Sequence, residues 1–327
     1  MLTVIIPTRN RSKLLSNLIL SFSTIRKKNF YWEVLVIDNA SDDNTKDIVN
    51  NLSSKVNFKI KYFFEKKIGL HYARNTGVRE ANSPFLAFLD DDMVVTSTWL
   101  DRFALLKDNM TDAYVGRILP IWESNPPLWL KLLTFTGTYP YLGLLNLGDN
   151  EIEIDPLYLY GGNLFIKKSI IVKLKGFNPD SFPQKSIKFR GDGESGLMKK
   201  FKLANYRSLY LPSATAYHII SRNRITIKYL CQRAYNEGIS NSFSSIRDPK
   251  KKEEFIFWFL KKLFGFNFIR SMTFSKILQF IIADIFLFFI QIKIKNSLRD
   301  GFNFHQKEIK KDKKLLSYVL NKNFLND

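Results

Sequence analysis

The first ninety residues alternate between short apolar runs and longer stretches with helical spacing, and this alternation constrains the fold more than any other feature of the chain. Four runs have the length and composition of β-strands: residues 3–6, 33–37, 58–64 and 84–89. Apolar residues spaced by three and four predict helices over residues 14–25 and 70–81. Strands that alternate with helices predict an α/β fold with a largely parallel sheet, in which ligands bind beyond the carboxyl ends of the strands.

Polar residues follow three of these strands directly. Pro7, Thr8 and Arg9 follow the first, Asp38 the second, and the triplet Asp90-Asp91-Asp92 the fourth. We expect these residues to meet along one edge of the sheet. Neighbouring carboxylates repel one another unless water or a cation compensates, so the triplet is a candidate metal site, or alternatively a solvated acidic turn.

Four motifs in order carry a resemblance to a known family: VIIPTRNR at 4–11, VIDNASDD at 36–43, ARNTG at 73–77 and FLDDD at 88–92. Together they resemble glycosyltransferase family 2. The resemblance implies a GT-A fold, a Rossmann-like mixed sheet with helices on both faces, and transfer of a sugar from a nucleotide diphosphate donor with inversion. It extends to about residue 245 and predicts a catalytic domain over residues 1–245, with a nucleotide-binding half (1–118) and an acceptor-binding half (119–245).

The resemblance also implies roles for individual residues of the nucleotide-binding half. Pro7, Thr8 and Arg9 would line the nucleotide pocket, and Arg74 would reach a phosphate or the base. Asp38 would accept a hydrogen bond from the base, which suits uracil, although an acid here also suits the start of the following helix.

The metal site is implied by the same resemblance. Asp90 would contact the ribose or a metal-bound water, and Asp92 would coordinate Mg²⁺ or Mn²⁺ on the diphosphate. Asp91 is counted with the nucleotide site, but its side chain is expected to face away. His218, which we expect after a strand over 206–211, would complete the coordination or serve as a structural histidine.

A second cluster contains the candidate catalytic base. The segment YGGNLFI at 160–166 resembles the family's second sheet segment, and RGDGESGL at 190–197 resembles its acidic block, with Gly191 in place of the usual first acid. An inverting transfer needs a base for the acceptor hydroxyl. Asp192 is our first choice and Glu194 the rival, whereas both acids also suit the first turn of a helix predicted over 195–203.

The stretch 119–160 is rich in Trp, Tyr and Pro and is predicted to recognise the acceptor, since aromatic faces stack on sugars or contact lipid, although aromatic residues also simply fill cores. The net charge is +20, and residues 250–327 contain 16 basic and 7 acidic residues. We expect residues 246–327 to form a basic helical tail that contacts an anionic membrane surface through residues 250–314, packs on the catalytic domain or dimerises. Its apolar run at 277–292 is shorter than the roughly 20 residues that a membrane-spanning helix needs.

These observations predict a cytoplasmic protein, peripheral at the inner face of the plasma membrane. The single cysteine, Cys231, is consistent with a reducing compartment. The predicted function is an inverting, metal-dependent glycosyltransferase that moves a sugar from a nucleotide-diphosphate donor, favoured as a UDP-sugar, to a glycan or lipid-linked acceptor in cell-surface polysaccharide synthesis. The alternatives are a catalytically silent nucleotide-sugar-binding protein or a nucleotidyltransferase on the same fold. A nucleic-acid partner is not expected, because no recognised nucleic-acid motif accompanies the positive charge.

Overall fold

The structure is a computed structural model. It describes residues 1–26, 30–101, 103, 111–135, 137–248 and 274–326, and the backbone alone for residues 274–285.

The described strands form one mixed sheet in the order β3-β2-β1-β4-β8-β6-β9-β5, with β7 paired to β9. Strands β1 to β4 are parallel, and β8 runs antiparallel to β4. The strands are β1 Leu2–Thr8, β2 Trp32–Asp38, β3 Lys59–Phe64, β4 Phe85–Leu89, β5 Met93–Val95, β6 Ala113–Trp122, β7 Ile152–Glu153, β8 Asn163–Lys167 and β9 Ser208–Ile220.

The described α-helices are α1 Ser12–Phe22, α2 Thr45–Ser53, α3 Leu70–Glu80, α4 Leu128–Thr134, α5 Lys168–Lys173, α6 Gly193–Leu203, α7 Ile227–Arg247, α8 Phe274–Lys311 and α9 Lys313–Leu320. Single turns of 3₁₀ helix connect several of them, among them Pro140–Leu142 and Arg222–Arg224.

The central strands are largely apolar because they are covered on both faces. Every residue of β1 is buried, as are the last six residues of β2. Helix α3 lies close to β1 at Gly77, where a Cβ atom would overlap the side chain of Ile5. This close packing fixes the height of α3 above the sheet and so positions the polar residues that α3 contributes to the site.

The α/β class and the four strands predicted in the first ninety residues are confirmed. The prediction that His218 follows a strand is wrong, because His218 lies inside β9, which continues to Ile220. The strand continues through Pro212 with a local irregularity: the pairing of β6 with β9 shifts register between Gly116 and Ile118. A proline is tolerated at such a point because it has no N–H to donate to the ladder.

The C-terminal helices pack on the catalytic part of the chain. Helices α7 and α8 cross closely at Gly238 and Gly301, where a Cβ on either glycine would overlap a backbone carbonyl oxygen of the other helix. Phe324 is fully buried, and its carbonyl oxygen accepts a hydrogen bond from Asn75 Nδ2 at 2.8 Å. The last described residues therefore brace α3, one residue from Arg74.

The predicted boundary at residue 245 falls inside α7. The apolar run at 277–292 lies within α8, and the aromatic run at 255–268 lies outside the described residues. Among the residues that the structure describes, none of the helices has the length and apolar character needed to cross a bilayer.

Candidate active site

A cavity of about 470 Å³ opens at the carboxyl ends of the parallel strands. Its volume falls within the range of small-molecule binding sites. All but one of the residues predicted for the site line this cavity, namely Pro7, Thr8, Arg9, Arg74, Asp90, Asp91, Asp92, Asp192, Glu194 and His218. The structure thus brings together residues that are more than 200 positions apart in the sequence.

Asp38 is the predicted site residue that does not line the cavity. Asp38 is buried beneath the cavity. One of its carboxylate oxygens accepts a hydrogen bond from the backbone N–H of Ser41 at 2.9 Å, and the other accepts one from the Tyr62 hydroxyl at 2.7 Å. Its neighbour Asn39 does line the cavity. A contact between Asp38 and a base would require Ser41 or Tyr62 to give way.

Asp91 lines the cavity, whereas the sequence predicted that its side chain would face away. It is buried, and it accepts hydrogen bonds from Thr8 Oγ1 at 2.8 Å and from Arg11 Nη1 at 2.8 Å. The chain turns at Asp91 and Asp92, so the alternation of side chains along β4 no longer applies. Burial raises the pKa of Asp91, and the positive charge of Arg11 opposes that rise.

Arg74 links the acidic triplet to the second cluster. Its guanidinium donates to Asp90 Oδ1 at 3.1 Å and to Glu194 Oε2 at 3.0 Å, and its side chain is only 3% exposed. The N–H of Gly161 donates to the same Glu194 oxygen at 2.9 Å. A side chain at position 161 would overlap both Glu194 and Arg74, which explains why a glycine occupies this position.

Asp92 lies in the turn directly before β5 and faces His218 on the neighbouring strand β9, with Asp92 Oδ2 3.4 Å from His218 Nε2. The His218 Nδ1 atom lies 2.8 Å from the carbonyl oxygen of Leu142. A carbonyl oxygen can only accept, so Nδ1 carries a proton, and Nε2, which faces Asp92, is the nitrogen that could bind a metal.

This pair fits a hard divalent cation that takes its other ligands from substrate and water. Two ligands of one octahedral Mg²⁺ are about 3 Å apart, close to the separation of Asp92 and His218. No group of three or more His, Cys, Asp or Glu side chains is arranged for a metal within the described ranges. The protein would therefore supply two ligands, Asp92 and His218, and a diphosphate and water the remainder.

The two candidate bases differ in how they are held. Asp192 accepts from Asn178 Nδ2 at 2.7 Å through one oxygen and from the Ser244 hydroxyl at 2.6 Å through the other. Glu194 has both of its hydrogen bonds on Oε2, and Oε1 has no partner among the described residues. Burial, followed by the charges of Asp90 and Asp180, raises the pKa of Glu194, while Arg74 opposes the rise.

Several charged residues of the cavity lie outside the set of site residues predicted from the sequence. Arg11 contacts Asp91 and Asp92, Arg224 contacts Asp92, and Asp180 forms an ion pair with Arg190. Arg11 and Arg224 both follow strands that end at this edge of the sheet, and that position was the available signal.

Comparisons with known proteins agree with this arrangement. The sequence profile of Glycosyl transferase family 2 matches residues 3–174, more than half of the chain. The protein belongs to glycosyltransferase family 2.

Curated relatives match over 28% to 44% of this chain. Chondroitin synthase of Pasteurella multocida is 38% identical over 112 residues, which are 33% of this chain and 11% of that protein. A GalNAc(5)-diNAcBac-PP-undecaprenol beta-1,3-glucosyltransferase of Campylobacter jejuni is 41% identical over 93 residues, 28% of this chain and 29% of that protein. The matches span between 11% and 33% of the length of these and similar relatives.

Solved structures show the same GT-A fold over nearly the whole chain. Residues 1–349 of TarS from Staphylococcus aureus, in complex with UDP-GlcNAc, superpose with a TM-score of 0.54 at 16% identity, covering 94% of this chain and 92% of that one. The mannosyltransferase PcManGT from Pyrobaculum calidifontis, in complex with GDP-Man and Mn²⁺, gives a TM-score of 0.55 at 14% identity, covering 99% and 84%.

Proposed function

We propose that this protein is an inverting, divalent-cation-dependent glycosyltransferase that moves a sugar from a UDP-sugar donor to a hydroxyl of a glycan or lipid-linked acceptor in cell-surface polysaccharide synthesis. The observation that carries the proposal is the cavity at the sheet edge, which gathers the acidic triplet, Arg74, Glu194 and His218. The donor class is supported by the UDP-GlcNAc complex of TarS, and the lipid-linked acceptor class by the Campylobacter relative.

The donor side of the cavity is the part formed by the ends of β1 and β4. Pro7, Thr8 and Arg9 line it next to the triplet, and Asp92 and His218 would hold the cation there. A cation bound at that point would stabilise the negative charge that develops on the leaving diphosphate. Arg74 keeps Asp90 and Glu194 in place from beneath.

The geometry favours Glu194 over Asp192 as the base, which reverses the order that the sequence favoured. A base needs an oxygen open to the acceptor hydroxyl, and Glu194 Oε1 accepts no hydrogen bond from the described residues, whereas each oxygen of Asp192 already accepts one. A raised pKa also suits a group that must take up a proton. Asp192 then serves to tie the start of α6 to α7 through Ser244.

The acceptor side is formed by the segment 119–160 and by α7. Pro140, Tyr141 and Leu159 line the cavity opposite the donor side, together with Tyr229 and Arg233 of α7. Aromatic and aliphatic walls with a few polar groups suit a sugar attached to an apolar carrier.

We place the membrane contact on α4 and α8. Both helices pack on one apolar cluster through Leu130 and Ile290. Their outer faces leave large apolar side chains exposed beside the exposed lysines Lys131 and Lys293, namely Leu128, Phe135, Phe286, Phe288 and Phe289. Exposed aromatics next to lysines match the interface of an anionic bilayer.

The activity is tested by incubating the protein with a panel of UDP-sugars, glycan or lipid-linked acceptors, and Mn²⁺. Acceptor-dependent release of UDP with inverted product stereochemistry is expected, and its loss with a chelator would confirm the cation requirement. Binding of UDP without transfer to any acceptor would favour the silent binding protein. Release of pyrophosphate in a parallel incubation with UTP and a sugar 1-phosphate would favour the nucleotidyltransferase.

The membrane contact is tested by flotation with vesicles of phosphatidylglycerol and phosphatidylcholine. Wild type should float with the anionic vesicles and lose binding at high salt, and the double variant Phe286→Ser/Phe289→Ser should lose it at low salt. Leu20→Ser, an exposed apolar residue on α1, is the matched control and should float like wild type. Equal flotation of wild type and the double variant would refute the placement of the membrane contact on α4 and α8.

A further inference from the structure

The guanidinium of Arg224 lies between the two predicted metal ligands. Its Nη2 atom donates to Asp92 Oδ2 at 2.9 Å, and its Nη1 atom lies 2.7 Å from His218 Nε2. These are the same two atoms that would coordinate a divalent cation. A cation and this guanidinium cannot hold both atoms at once.

A short turn brings Arg224 to this point. The 3₁₀ turn Arg222–Arg224 connects the end of β9 to the start of α7, and the N–H of Arg224 donates to the carbonyl oxygen of Ser221 at 2.9 Å. The Arg224 side chain is 17% exposed. One turn of backbone and its two contacts in the site therefore hold this side chain in place.

Arg224 also has space to leave. A second cavity of about 460 Å³ lies next to the first, and Arg11, Asp92 and Arg224 line both. The Arg224 side chain thus borders two open volumes and can turn toward either without displacing the core.

The charges around Asp92 make the contact strong in the ligand-free protein. Asp92 is buried, and Arg11 Nη1, Arg224 Nη2 and His218 Nε2 lie 3.2, 2.9 and 3.4 Å from its Oδ2 atom. Charge-assisted hydrogen bonds of this kind are among the stronger contacts in proteins. A cation that arrives alone must replace one of them and is also repelled by both arginines.

We propose that Arg224 is an internal counter-ion of the cation site: in the free protein its guanidinium holds Asp92 and His218, and a divalent cation binds there only when the guanidinium moves to the diphosphate of the donor. The proposal rests on the proposed function, because it requires the donor diphosphate at this edge of the sheet. It predicts that the cation alone binds weakly, and that cation and nucleoside diphosphate bind cooperatively.

The test measures Mn²⁺ binding by the loss of the electron paramagnetic resonance signal of free Mn²⁺, with and without UDP. Arg224→Gln should bind Mn²⁺ alone about tenfold or more tighter than wild type, since a contact to a charged group is removed. With UDP present, wild type should bind Mn²⁺ more tightly than the variant, because the variant lacks the guanidinium that would contact the diphosphate. Arg222→Gln changes an exposed arginine of the same turn and should match wild type in both titrations.

Arg224→Lys provides a second, milder variant, because lysine keeps the positive charge but lacks the planar fork of two Nη donors; its Mn²⁺ affinity should fall between those of wild type and Arg224→Gln. Thermal unfolding of each variant checks that the fold is retained. Unchanged or weaker Mn²⁺ binding by a folded Arg224→Gln overturns the proposal while leaving the donor site in place. Failure of wild type to bind UDP with Mn²⁺ removes the donor site itself, and the proposal with it.

Discussion

Replacing the two candidate bases one at a time should separate catalysis from stability. In Glu194→Gln the amide oxygen can keep the bonds from Arg74 and Gly161, and the amide nitrogen takes the place of Oε1, which has no partner among the described residues. The fold should therefore be retained. If Glu194 is the base, turnover should fall by about 10²–10⁴-fold, which corresponds to about 3–5 kcal/mol of activation free energy.

Asp192→Asn should show the opposite profile. An asparagine can still accept from Asn178 and can donate to the Ser244 hydroxyl, but two charge-assisted hydrogen bonds become neutral ones. Each such change costs about 1 kcal/mol, so the free energy of unfolding should fall by about 1–2 kcal/mol while turnover stays close to that of wild type.

The assay combines turnover at saturating UDP-sugar, UDP affinity and urea unfolding for both variants. UDP affinity should stay within a few-fold of wild type, because neither carboxylate is placed on the nucleotide. The assignment is refuted if Asp192→Asn loses turnover by 10²-fold or more with its stability intact while Glu194→Gln stays active, since Asp192 would then be the base.

Three further predictions concern pH and packing. Because burial raises the pKa of Glu194 and a base must be deprotonated, kcat/KM should fall with decreasing pH along a limb above the ordinary glutamate value of about 4.3; a limb below that value would contradict the assignment. Burial lowers the pKa of His71 and of His305 to about 4, so the folded state binds fewer protons than the unfolded state between pH ~4 and pH ~6.5. The free energy of unfolding, measured with urea, should therefore decrease as the pH is lowered through this window, by at most about 3 kcal/mol per histidine. Stability independent of pH there would refute the burial of both rings. Gly238→Ala would push a Cβ into the Leu298 carbonyl oxygen and should lower the free energy of unfolding by about 1–3 kcal/mol or more, whereas an unchanged value would show that the helices are not in contact there.

The first ninety residues were well predicted because their signals are local. Apolar runs fixed the strands of the first ninety residues, and the rule that parallel strands end at one edge brought Thr8 and the triplet together, as the 2.8 Å bond between Thr8 and Asp91 confirms. The direction of Asp91 was not predictable in the same way, because it depends on a turn after β4 and on Arg11.

The rest depended on contacts between distant segments. Nothing near Asp38 in the sequence indicates that Tyr62 and Ser41 would engage both of its oxygens. The role of Arg224 likewise depends on how β9 pairs with β5, which puts His218 opposite Met93, next to Asp92. Local sequence patterns do not predict which residues pair across a long strand with irregular register, such as β9.

The measurement that tests the central claim most directly is calorimetric titration of UDP into the protein, with and without Mn²⁺, for wild type and Asp92→Asn. If the cavity is a cation-dependent nucleotide-sugar site, Mn²⁺ should tighten UDP binding in wild type and add nothing in the variant, whose neutral amide is a poor ligand for a hard cation. UDP binding that ignores Mn²⁺ would contradict the cation site, and failure of UDP and of other nucleoside diphosphates to bind would contradict the transferase assignment itself.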